Sequence, residues 1–69
     1  MENEVHIRSN TTRRYLVASG RWSALRTEAR SFPSIIAARD CCVQEHLVNI
    51  EIVVVRDALV CMRVPLETL

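Results

Sequence analysis

Sixty-nine residues, 49% of them apolar, make one small domain rather than a disordered chain. A net charge of +1 gives the whole molecule no pull toward nucleic acid or a membrane, and no apolar run approaches the roughly 20 residues that span a bilayer. The single glycine excludes Gly-rich phosphate loops, and three cysteines behind the polar N-terminus MENEVHIRSN read as reduced, cytoplasmic thiols.

In chain order, Val5 and Ile7 alternate with polar neighbours before Ser9-Asn10-Thr11-Thr12. This pattern predicts an N-terminal arm or short edge strand over residues 1–12, followed by a single α+β domain over residues 13–69. Arg13 to Ala18 reads as a strand and Ser19-Gly20 as a turn, with Gly20 supplying a positive φ. Arg21 to Leu25 returns as a second strand, and the polar run Arg26 to Arg30 leads to Ser31. Ser31 or Ser34 is placed to cap a helix, with Pro33 tolerated in its first turn, running to about Leu47. At 100° per residue the helix gathers Ile35, Ile36, Cys42, Val43 and Leu47 on one arc, with Ala37, Asp40, Cys41 and Gln44 opposite. Arg39 and His46 fall inside the apolar arc, where Arg39 would lie with its stem along the sheet.

Asn49 to Pro65 reads as a hairpin turning at Asp57-Ala58, although the turn lacks the usual glycine. With that turn Val55 faces Val60, Val53 faces Met62 and Glu51 faces Val64. The opposite face carries Ile50, Ile52, Val54, Leu59 and Cys61. Neither strand alternates apolar with polar, whereas a half-buried antiparallel strand should. One helix covers one face of a small sheet, so the other face is left over. A second copy, meeting it at Ile52, Val54, Leu59 and Cys61, would bury it; the N-terminal arm folding across is the alternative.

Three groupings could carry chemistry. Cys42 and His46 share a helix face, and Cys61 with His6 would complete a Cys2His2 zinc set, although no paired Cys knuckle is present. As small buried residues the cysteines need no such role, and no metal or cofactor is expected. A nucleophilic Cys42–His46 pair, oriented by Asp40 or Glu45, lacks a cleft and an oxyanion hole, and no enzyme activity is expected. The third grouping is Arg13, Arg14, Arg21 and Arg26 with Tyr15 and Trp22. All nine basic residues of the chain are arginine, and Glu28 is the only acid between Arg8 and Arg30. Arginine suits planar contacts to carboxylate or phosphate, and aromatics on strands stack on bases.

The order Tyr15-Leu16-Val17, Arg21-Trp22, Glu28-Ala29-Arg30-Ser31-Phe32-Pro33-Ser34, Ala37-Ala38 and Ile52-Val53-Val54-Val55 resembles a pattern in short phage and mobile-element proteins. It covers roughly residues 15–55 and rests on common residue types. The resemblance implies a compact β-β-α-β unit that acts by binding and supplies no catalytic residue.

These readings together predict a small α+β fold, an antiparallel sheet of order β-β-α-β-β with one helix packed on one face. They predict a homodimeric, non-enzymatic protein-interaction module, such as a phage or mobile-element inhibitor or accessory factor that binds a host protein. The alternative is a small nucleic-acid-binding module built on the Arg-rich hairpin.

Overall fold

The computed structural model describes residues 3–57 and 59–65. Its strands are β1 (Glu4–Ser9), β2 (Tyr15–Ala18), β3 (Arg21–Ser23), β4 (Ile50–Arg56) and β5 (Leu59–Pro65). A 3₁₀ turn (Arg26–Glu28) and the helix α1 (Ile35–Gln44) lie between β3 and β4. The strands form one antiparallel sheet in the order β3-β2-β1-β4-β5. The chain is therefore α+β, with the element order β-β-β-α-β-β.

The added strand is the largest departure from expectation. Residues 4–9 are neither an arm nor an edge strand, because β1 occupies the centre of the sheet. It pairs along its whole length with β4, from Glu4↔Val55 to Ser9↔Ile50. Val5 and Ile7 are buried on one face, and on the other His6 is buried and Arg8 half-buried, each with a partner. His6 Nδ1 donates to the Arg30 carbonyl (2.9 Å), and the Arg8 guanidinium donates to Glu51 Oε1 (2.8 Å). Buried polar groups of this kind are tolerated only when paired. The pairing of β1 with β2 is confined to Arg8↔Tyr15. Further along, Phe32 takes the place of β2, donating its N–H to the Val5 carbonyl (2.9 Å).

The tight turns follow local chemistry. Gly20 sits at φ +75° between Ala18 and its partner Arg21, as the Ser19-Gly20 pair predicts. Arg56 pairs with Leu59, so the last hairpin turns at residues 57–58. Asp57 there adopts φ +55°, and Ala58 lies outside the described residues. In the β1–β2 loop, Ser9 Oγ accepts from the N–H groups of Thr11 and Thr12.

Ser34 caps α1, its hydroxyl accepting from the Ala37 N–H (3.1 Å), so Pro33 stays outside the helix. The helix ends at Gln44, short of Leu47. The Leu47 N–H donates to the Cys42 carbonyl and the His46 N–H to the Val43 carbonyl, with His46 at φ +54°. This is a Schellman termination, in which the left-handed position usually belongs to glycine. His46→Gly is expected to raise the unfolding free energy by about 1 kcal/mol, because the left-handed region penalises a side chain. Urea denaturation checks this; an unchanged or lower midpoint contradicts it.

The helix buries a different stripe from the one its large side chains suggest. Ala38 and Cys42 are fully buried, with Ile35, Ala37, Cys41 and Leu47 partly so, whereas Ile36 and Val43 are more than 60% exposed. The main contacts of α1 are with β1 and β4. Ala38 and Cys42 share one core with Val5, Ile7, Leu16, Phe32, Ile50, Ile52 and Val54. Small side chains let a helix approach closely, and this outweighs the size of Ile36 and Val43.

This core corrects the expected interface. Ile52 (0% exposed) and Val54 (6%) belong to the interior. Val53 and Val55, on the opposite face of β4, are buried too. They stand in the cross-strand rows His6–Val53–Arg63 and Glu4–Val55–Val60. Only Leu59 and Cys61 of the four expected interface residues are exposed. The register also shifts: Val55 pairs with Val60 but Val54 pairs with Met62, leaving Cys61 as the extra residue of a β-bulge. Beyond the bulge Val53 faces Arg63 and Ile52 faces Val64, not Met62 and its expected neighbours. Met62 and Val64 consequently lie on the face that carries Ile52 and Val54.

Candidate functional site

The Arg-rich hairpin is not one surface. Alternation along β2 sends Leu16 into the core and Tyr15 to the opposite face, where Tyr15 pairs with Arg8 and meets the His6 ring edge-on (6.3 Å). Trp22 pairs with Leu16 and so lies on the core side of the sheet. The two aromatics expected to form one stacking platform point to opposite faces. Arg13 and Arg14 stand at the β1–β2 loop, Arg21 at the other end of β2, and Arg26 is half-buried in the 3₁₀ turn.

The structure brings together Arg14 and Trp22, with Ser9 and Thr12 from the β1–β2 loop, around a shallow notch of about 460 Å³. The loop geometry sets their chemistry. Ser9 Oγ accepts two backbone N–H groups, and Thr12 Oγ1 accepts the Arg14 N–H (3.3 Å). Arg13 (φ +60°) closes the loop by donating its N–H to the Ser9 carbonyl, and the Ser9 N–H returns to the Arg14 carbonyl. Arg8 pairs with Glu51 and Arg39 with Asp40 (3.5 Å), and neither pair uses Arg13, Arg14 or Arg21. Glu28, the one acid of this region, accepts from the Ser23 hydroxyl. Sequence reasoning found Arg14 and Trp22 but missed Ser9 and Thr12, which look like ordinary turn residues; their spacing before Arg13-Arg14 was the available signal.

A second concavity, of about 360 Å³, runs between α1 and β2 and is walled by Leu16, Phe32, Ala37 and Cys41, with Arg30, Asp40 and Glu45 at its rim. The Arg30 guanidinium lies over the Phe32 ring (4.9 Å), and Glu45 accepts from the Ser19 hydroxyl. The rim charges are thus partly engaged within the chain.

The proposed zinc ligands are dispersed. Cys42 is in the core, Cys61 is exposed on β5, His46 is exposed beyond the helix, and His6 is buried between the Arg30 carbonyl and Glu4 Oε2 (3.3 Å). Among the described residues no three His, Cys, Asp or Glu side chains stand close enough to hold a metal ion. Of the Cys42–His46 pair, Cys42 is buried and His46 exposed.

Burial pushes the Cys42 thiol up to about 11, the neighbouring Cys41 adding to the rise. Two results follow. At pH 8 a maleimide should label the exposed Cys61 first and Cys42 only on unfolding, as read by mass spectrometry; early labelling of Cys42 contradicts its placement. Because the folded-state value lies above the unfolded one, the contribution of Cys42 to stability is whole below pH 9 and is lost as pH rises toward 11. Cys42→Ala should remove that alkaline decline.

No family model, curated protein or solved structure matches the chain. The resemblance to short phage and mobile-element proteins therefore rests only on the residues quoted for it. Among the described residues no helix is long and apolar enough to cross a membrane.

Proposed function

We propose that the chain is a non-enzymatic protein-interaction module, working as a homodimer in the cytoplasm and acting on a partner protein as an inhibitor or accessory factor. The supporting observation is an apolar flank left open to solvent. On α1 the side with Ala37, Cys41 and Gln44 faces β2 across the 360 Å³ concavity. Ile36 and Val43, two turns apart, are exposed on the side of α1 turned away from the buried Ala38 and Cys42. On β5, Leu59 (71% exposed) and Met62 (50%) are exposed on the face of the sheet that carries Ile52 and Val54. In this reading the helix covers one face of the sheet incompletely, and a second copy completes the cover.

The contact is face to face rather than edge to edge. The outer edge of β5 is broken by the Cys61 bulge and carries Arg63 and Pro65, and β3 is only three residues long. Bulges, charges, proline and short strands are the devices that discourage strand addition. A standard interface needs about 800 Å² per partner, roughly a sixth of the 4745 Å² surface of the chain. Both signs of charge stand next to the apolar residues along the chain, in Arg39-Asp40 and Arg56-Asp57, which a self-complementary contact can use. The alternative reading as a nucleic-acid module loses support from the separation of Tyr15 and Trp22.

Sedimentation tests the assembly. The wild-type chain should be dimeric at 100 µM, as a nominal working concentration about a hundredfold above a micromolar Kd. The double variant Ile36→Glu/Val43→Glu should be monomeric with an unchanged circular dichroism spectrum. A monomeric wild type, or a dimeric double variant, rejects this surface.

A further inference from the structure

We propose that the notch formed by Ser9, Thr12, Arg14 and Trp22 is a docking site for an acidic peptide segment that carries an apolar side chain beside its carboxylates. The inference goes beyond the dimer reading and does not need the apolar flank of α1 and β5.

The hydrogen-bonding capacity of the rim is one-sided. Ser9 Oγ spends both lone pairs on the Thr11 and Thr12 N–H groups, so its hydroxyl has only a proton left to offer. Thr12 Oγ1 already accepts from the Arg14 N–H. The Arg14 guanidinium offers five donors and no acceptor, and Arg13 stands next to it. The notch thus presents donors and positive charge around an apolar indole wall. Arg14 is the one charged residue lining the notch. Glu51 and Glu28 are engaged by Arg8 and Ser23.

An occupant complementary to this rim is acceptor-rich, negatively charged and partly apolar. A carboxylate matches the guanidinium fork, and a neighbouring Leu or Phe side chain would cover the exposed part of Trp22. A nucleic acid fits less well. It would call for a second stacking ring and a run of phosphate contacts, but Tyr15 is on the far face of the sheet and Arg21 is at the other end of β2. The volume of about 460 Å³ suits one or two side chains rather than a strand of nucleotides.

Trp22 is the only tryptophan and lines the notch, so its fluorescence responds to an occupant there. The probe is the acetylated, amidated peptide Gly-Glu-Phe-Glu-Leu-Glu-Gly, with excitation selective for tryptophan. Saturable change of the Trp22 emission is expected, weakening as salt is raised. Arg14→Gln should weaken binding at least about tenfold, the loss of one charge-assisted contact. Arg21→Gln should leave it within about twofold. Arg14 is exposed, so the variant should keep the wild-type circular dichroism spectrum. If it does not, Arg13→Gln supplies the second measurement and is expected to weaken binding by about threefold. Ile36→Glu/Val43→Glu should bind the peptide as wild type does, which separates this site from the dimer surface. The proposal is overturned by an absent fluorescence change up to millimolar peptide, by equal binding of the Lys-for-Glu peptide, or by tighter binding of a dT12 oligonucleotide.

Discussion

Replacing Ile52 with alanine is expected to lower the unfolding free energy by about 3 kcal/mol, the middle of the range for deleting a fully buried branched side chain. Ile52 has no exposed surface and stands at the centre of β4, between Ile7 on β1 and Val64 on β5. Helix residues Ala38 and Cys42 belong to the same core. Removing three methyl or methylene carbons there leaves a void that a small sheet cannot close by relaxing. A domain of this size has roughly 3–5 kcal/mol of stability in total, so much of the population should be unfolded near 37 °C. Guanidinium denaturation gives the measurement. A loss below 1 kcal/mol would mean that Ile52 is not in the interior. Val48→Ser, at an 81% exposed position, is the control and should change stability by less than about 0.5 kcal/mol.

The second large effect concerns charge. Arg8 and Glu51 face each other across β1 and β4 with their side chains only 19% and 13% exposed. Arg8→Ala strands a carboxylate that has little access to water, and a loss of about 2 kcal/mol is expected, below the range for fully buried pairs because some screening remains. Glu51→Ala should cost a similar amount. The double variant Arg8→Met/Glu51→Leu should lie within about 1 kcal/mol of wild type, because an apolar pair of similar volume needs no compensation. If the double variant is as unstable as the sum of the single ones, the pair stabilises the sheet by more than mutual neutralisation.

These two positions show what the sequence could and could not convey. The turn at Ser19-Gly20, the capping serine and the last hairpin were legible because each depends on a few adjacent residues. The central place of β1 was not. The alternation around Val5 and Ile7 allows no more than an arm or a short edge strand, and the burial of His6 and Arg8 depends on Arg30 and Glu51, partners far along the chain. The helix face was misjudged because an arc weighted by large side chains ignores how closely Ala38 and Cys42 allow a helix to approach. The hairpin register was right at Val55↔Val60 and wrong beyond it, since one bulged residue exchanges the faces of all that follow. Of the candidate site, Arg14 and Trp22 were legible as types. Their separation from Tyr15 followed from strand alternation once β2 was known to start at Tyr15.

The position of β1 also bears on how the molecule folds. The strand the sheet is built around finds its long partner β4 far along the chain, from Glu4↔Val55 to Ser9↔Ile50. Until that pairing closes, Val5 and Ile7 have the Arg8↔Tyr15 pairing and the Phe32 bridge to shelter beside. Cooperative structure must therefore wait for a distant contact, and closing so distant a pairing is slow. A chain in which β4 has not yet paired leaves an open strand template for holdase chaperones.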